Sequence, residues 1–183
     1  MIITGFQGEY EGAKVSVTGG FSPGSGQLGV SKAFIARDAA DFLLPGSPSE
    51  DHPEASGRGV LLLADGSRHE GHLFGAAKIA EGELVFTTNM TGYQESLTDP
   101  SFAGQVLTFT WPLLGNYGIA PGISESAGVW PRGVVCRELM LEPDHRHCIG
   151  TVHDLLLAHG VPGITGIDTR AVTKRVREYG VIL

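Results

Sequence analysis

Val60-Leu61-Leu62-Leu63-Ala64-Asp65-Gly66-Ser67-Arg68-His69-Glu70-Gly71-His72-Leu73-Phe74 reads as a β-hairpin. The apolar run Val60–Leu63 has the length of a strand and stops at Asp65-Gly66, a turn pair in which glycine accepts a positive φ. Arg68 to Phe74 alternates loosely and predicts the returning strand. Working outward, Glu83–Thr88, Gln105–Thr110 and Gly133–Arg137 are β-rich runs of strand length.

Two helices are predicted after these strands. Thr151-Val152-His153-Asp154 offers an N-cap with an acid three residues on, and Gly160 is a natural stop. Val152, Leu155, Leu156 and His159 give that helix an apolar face. The last helix starts at Asp168-Thr169 and ends at Gly180, with Val172, Val176 and Tyr179 on one side. Arg170, Lys174 and Arg177 form a basic stripe on the other. Many strands followed by late helices predict a layered β/α domain of the α+β class, not an all-parallel wound sheet.

Composition shifts near residue 57. Residues 1–57 are rich in Gly, Ser and Ala, with Pro23-Gly24-Ser25-Gly26 and Pro45-Gly46-Ser47-Pro48 as loop-like clusters. They read as an extension of no visible chemistry, with one short helix within Ser31–Leu44. Residues 58–183 form the folded domain.

The 183-residue chain has 42% hydrophobic and 18% charged residues and a formal charge of -7. That balance argues against a general nucleic-acid surface, which is normally basic. Cys136 and Cys148 are too few for a disulfide framework. No apolar run reaches the roughly 18 residues of a membrane span, and no signal peptide stands at the start. A cytoplasmic protein is the expectation.

No obvious chemistry stands out among the usual groups. Cys136 lies in a strand-like run and Cys148 in a polar connection, and neither has the turn that exposes a nucleophilic sulfur. His145, His147, His153 and His159 cluster without metal-ligand spacing and read as surface and loop histidines, so no metal site is expected. No phosphate-binding glycine loop is present.

The unusual stretch is Thr87 to Phe102, dense in hydroxyls and amides. Thr91 is placed to cap a helical turn, and Asp99 before Pro100 must leave helical geometry. Ser101 then sits on a fixed turn, its hydroxyl able to donate and accept. A well-capped loop without further role is the competing reading.

Asn89-Met90-Thr91-Gly92-Tyr93-Gln94-Glu95, Leu97-Thr98-Asp99-Pro100-Ser101 and Gly115-Asn116-Tyr117-Gly118 follow one another in order. Glu125-Ser126, Val134–Glu138, Gly163-Ile164-Thr165-Gly166-Ile167-Asp168-Thr169-Arg170 and Arg175–Gly180 continue the series. Together they resemble the N-terminal domain of the carbamoyl-phosphate synthase small subunit, over roughly residues 59–183.

The resemblance implies a layered β/β/α domain of the swivelling type, followed in the family by a glutamine amidotransferase half with a Cys-His-Glu arrangement. That half releases ammonia to a large partner subunit, which uses two ATP, with Mg, and bicarbonate to make carbamoyl phosphate for pyrimidine and arginine synthesis. No cofactor is implied for this chain itself. The N-terminal half docks the large subunit in a heterodimer and shapes one wall of the glutamine site.

Ser101 is similar to the family's glutamine-binding serine, with a hydrogen bond to the amino acid as its implied role. Arg170, Lys174 and Arg177 are candidates for partner contact, against a merely solvated helix face. Phe102 and Trp111 stand where the family often has tyrosine, so any hydrogen bond from those rings is lost. Residues 1–57 resemble nothing in the family. The apolar end Val181-Ile182-Leu183 precedes any amidotransferase motif, so a truncated and catalytically inactive half is expected. A free-standing binding or regulatory module is the alternative.

Overall fold

The computed structural model describes residues 6–10, 13–17, 32–37 and 57–179. The expected hairpin is present as β4 (Arg58–Leu63) and β5 (Arg68–Gly75), with Leu62 opposite Arg68. Its turn closes through Gly66 N–H to Leu63 O at 2.9 Å, with Gly66 at φ 84°. Asp65 Oδ1 accepts from Ser67 N–H at 2.8 Å and stiffens the same turn.

Five further strands complete a closed barrel: β3 (Lys32–Arg37), β6 (Ala80–Thr87), β7 (Gln105–Phe109), β9 (Gly133–Val135) and β11 (Pro162–Thr165). Around the barrel the order is β11-β5-β4-β3-β6-β7-β9, and β9 pairs again with β11. Contacts from β6 through β7 and β9 to β11 are parallel; the others are antiparallel. Outside the barrel, β1 (Phe6–Tyr10) pairs with β2 (Ala13–Val17), and β8 (Leu113–Leu114) with β10 (Glu138–Leu139). The class is mixed α/β with a curled sheet, in keeping with the expected mixture of strands and late helices.

Alternation along the strands builds two cores, because successive side chains point to opposite faces. Ile35, Leu61, Leu63, Leu84, Val106, Val135 and Ile164 fill one cluster, which Val172 and Val176 of α3 (Thr169–Tyr179) join. Phe74, Leu107, Phe109, Val134 and Cys136 belong to the other, covered by Leu97 of α1 (Tyr93–Thr98) and by Val152 and Leu156 of α2 (Val152–Ala158). Each such buried aliphatic or aromatic side chain stabilises the fold by about 1.5–3 kcal/mol. Gly163 makes one close approach possible: a Cβ there would lie 2.4 Å from the ring of Phe74, its cross-strand partner.

The short helix expected within Ser31–Leu44 is not found where the chain is described; Lys32–Arg37 is strand β3. It inserts between β4 and β6, and its Ala33 and Ile35 are wholly buried. Backbone pairing on both edges and burial of two apolar side chains overrode the local helix propensity. The segment expected to be an extension therefore contributes a barrel strand.

α2 has the expected capping box: Thr151 Oγ1 accepts from Asp154 N–H at 3.0 Å, and Thr151 N–H donates to Asp154 Oδ2 at 3.0 Å. On its inner face, however, His153 is buried and His159 exposed, the reverse of the sequence expectation. Tyr179, expected on the apolar side of α3, has a side chain outside the described residues, and so do residues 180–183.

Candidate functional site

Ser101 lies in a 3-10 turn, Pro100–Phe102, directly after α1. Asp99 leaves the helix with extended dihedrals (φ -81°, ψ 119°), as a residue before proline must. Its Oδ1 accepts from Ser101 N–H at 2.8 Å and caps the turn. Ser101 is exposed, and among the described residues nothing bonds its hydroxyl. The turn is held by its backbone while the Oγ faces water.

The helix that launches this turn is itself clamped. Thr98 Oγ1 donates to Gln94 O at 2.8 Å and accepts from Glu125 N–H at 2.9 Å. Ser126 Oγ donates to Thr98 O at 2.7 Å, and Trp130 Nε1–H donates to that same Ser126 oxygen at 2.7 Å. Gln94, 2% exposed, grips the loop that follows β8: Nε2 donates to Ala120 O and Ser124 Oγ, each at 2.8 Å, and Oε1 accepts from Ala120 N–H at 2.9 Å.

At the other end of α1, Tyr93 stacks on Tyr117 at 4.2 Å and donates to Gly118 O at 2.6 Å. Burial pushes both phenol pKa values up, so the rings act as neutral donors and packing surfaces. The helix N-cap is Gly92, not Thr91: Gly92 adopts φ 81° and its N–H donates to Tyr117 OH at 2.8 Å. The cap itself makes no side-chain hydrogen bond; a tyrosine from another segment instead holds the residue at which the helix starts. Phe102 is half-buried against the outer core, and Trp111 is exposed.

Arg170, Lys174 and Arg177 come together on one side of a cleft of about 530 Å³. Phe86, Thr88, Thr110 and Thr173 line the same cleft, with Glu178 beside Lys174. Lys174 Nζ lies 3.7 Å from the Glu178 carboxylate, an exposed pair of small energetic weight. Among the described residues, Arg170 and Arg177 have no ion-pair or hydrogen-bond partner. Arg175 points elsewhere and pairs with Asp65 of the hairpin turn. Ser101 precedes β7 and Thr110 follows it, so the turn and the cleft lie at opposite ends of a strand about 17 Å long.

The remaining reactive groups are structural. Cys136 is fully buried and desolvation pushes its thiol up to about 12, far from a nucleophile's value. Cys148 Sγ–H points at Gly150 O, 3.2 Å away. His153 Nδ1 accepts from Gly75 N–H at 3.1 Å and ties α2 to β5, which corrects its expected place on the surface. His145, His147 and His159 are exposed. Among the described residues no three His, Cys, Asp or Glu side chains converge as a metal site would require, and no helix is long and apolar enough to cross a membrane.

Ser101 and the basic stripe are legible in the sequence, but the segments that surround them are not. Glu125-Ser126 was visible as a motif, yet nothing in its spacing shows that it closes over Thr98. Phe86 lies on β6, and Thr88 and Thr110 stand just beyond the ends of β6 and β7, two strands whose parallel pairing is not written in local periodicity.

Residues 61–183 match the family model described as carbamoyl-phosphate synthase small chain, CPSase domain. Among similar proteins, the carbamoyl phosphate synthase small chain of Staphylococcus haemolyticus is 44% identical over 125 residues, 68% of this chain and 34% of the relative. That of Methanopyrus kandleri is 48% identical over 125 residues, 68% of this chain and 35% of the relative. That of a Nostoc species is 47% identical over 123 residues, 67% and 32% of the two chains. The chain thus spans about a third of the length of the curated relatives it matches. On the strength of this match, the chain belongs to the carbamoyl-phosphate synthase small chain family, through its CPSase domain.

Proposed function

We propose that residues 58–183 are the N-terminal half of the glutaminase subunit of a glutamine-dependent carbamoyl-phosphate synthase. In this reading the domain docks the large chain and supplies one wall of the glutamine site, while a separate amidotransferase half hydrolyses glutamine. ATP and Mg belong to the large chain. The domain alone is catalytically inactive, works in the cytoplasm as part of a heterodimer, and serves pyrimidine and arginine synthesis. The layered β/β/α arrangement of the swivelling type is part of the proposal, supported by α2 and α3 packed on a mixed sheet.

The observation that carries the reading is Ser101. Its backbone is fixed by Asp99, while its exposed hydroxyl has no partner among the described residues. A hydroxyl held this way can bond an amino acid's charged groups without first giving up a protein partner. A bond to a charged group contributes about 1.5–3 kcal/mol. Ser101→Ala in the assembled synthase should therefore raise the KM for glutamine roughly 10-fold or more, and leave ammonia-driven synthesis unchanged. An unchanged glutamine KM would remove Ser101 from the site. The alternative, a binding module without catalysis, is favoured if the chain never associates with a large chain.

A further inference from the structure

We propose that the cleft between α3 and the C-terminal ends of β6 and β7 seats an acidic polypeptide segment of the synthase large chain. The proposal rests on the docking reading above and names the chemistry of the contact. The first argument is charge. Three cations, Arg170, Lys174 and Arg177, face the cleft against one carboxylate, Glu178, in a chain whose formal charge is -7. Both guanidinium groups lack a partner among the described residues, so a docking carboxylate displaces no existing ion pair.

The second argument is shape. Residues 170, 174 and 177 recur on one helix face, so the cations form a row about 10 Å long and do not converge on a point. A single phosphate would meet one or two of them, in water, where exposed pairs add little. An extended chain with carboxylates on alternate residues repeats charge about every 7 Å and can follow the row.

The third argument concerns protons. Thr173 Oγ1 donates to Thr169 O at 2.6 Å and Thr110 Oγ1 to Thr87 O at 2.9 Å. With those protons committed, both oxygens offer lone pairs to the cleft. Backbone N–H groups of a polypeptide can donate to such oxygens, whereas the dianion of a phosphate ester has only acceptors to bring. Phe86, half-buried on the cleft wall, adds an apolar surface for the segment's side chains.

The test measures affinity of the full 183-residue chain for the cognate large chain by titration calorimetry. R170E/R177E and the milder R170A/R177A are compared with K78E, which reverses a cation at the opposite end of β6, and thermal unfolding is recorded for each variant. The expected result is a loss of roughly 30-fold or more for R170E/R177E and a smaller loss for the alanine pair. K78E should bind as wild type does. Raising salt from about 50 to about 300 mM should weaken wild-type binding and leave R170A/R177A nearly unchanged, because the screened charges are gone. The same change should strengthen R170E/R177E by screening its repulsion of the segment.

Wild-type affinity in correctly folded R170E/R177E would overturn the cleft as the contact while leaving large-chain docking intact. Absence of any wild-type binding would overturn the docking reading and this inference with it. A rise in Tm with inorganic pyrophosphate that R170E/R177E abolishes, with large-chain affinity untouched, would reassign the cleft to small anions.

Discussion

Replacing Gln94 by Ala should loosen the segment that holds the Ser101 turn in place. Gln94 makes three hydrogen bonds to Ala120 and Ser124 at 2.8–2.9 Å from a side chain that is 2% exposed. At about 0.5–1.5 kcal/mol each, the three bonds together contribute about 3 kcal/mol. Ala120 is half-buried and Ser124 exposed, so water can satisfy part of what is lost, which brings the expected cost down to about 2 kcal/mol. For a chain of this size that is a fall in Tm of about 4–8 °C.

Thermal unfolding measures the total, and hydrogen exchange at the Ala120 amide reads the local opening. Gln94→Glu sharpens the test. Its carboxylate would face Ala120 O, so the folded state raises its pKa above the unfolded value of about 4.3. The stability of that variant should be full below this value and decline as pH rises through the folded pKa. Wild-type Tm together with a protected Ala120 amide in Gln94→Ala would refute the clamp.

Two further outcomes follow from the described geometry. Bonds from the Thr151 backbone and hydroxyl hold the Asp154 carboxyl below its ordinary 3.8. A depressed pKa stabilises above the unfolded value, and that stability is lost as pH falls through the folded one. The Tm gap between wild type and Asp154→Ala, about 2 °C at pH 6 after allowance for exposure, should therefore narrow progressively as pH falls from 3.8 through the lower folded pKa; a gap that did not change with pH over that range would remove charge from the account. Gly163→Ala places a methyl 2.4 Å from the Phe74 ring and should cost about 1–3 kcal/mol, read by urea unfolding. Pairing it with Phe74→Leu should recover part of that loss, and simple additivity of the two costs would refute the steric explanation.

Residues whose structure is set by neighbours in the chain were legible in the sequence. Asp65-Gly66 turns, Thr151 caps with Asp154, and Asp99 before Pro100 leaves the helix, each within four residues of its partner. Features set by distant partners were not. β3 is six residues of mixed character, and only its pairing with β4 and β6 makes it a strand. Barrel closure passes through β9 and β11, three and four residues long, with glycines where periodicity would need side chains. At the candidate site the same division holds. The Asp-Pro step located Ser101, but Gln94, Ser126 and Trp130 clamp the helix before it only through the tertiary fold.

The register of β11 against β5 bears on how the protein comes into being. Pro162 faces Gly75 across that pair, so hydrogen bonds join segments roughly 90 residues apart in sequence. Contacts of such high contact order form late, since the intervening loop must close before any bond rewards it. During synthesis the β4–β5 hairpin emerges with one edge open until Thr165 has left the ribosome. That edge, with its unpaired N–H and C=O groups, is an aggregation-exposed surface of the nascent domain, and its protection is a matter of timing.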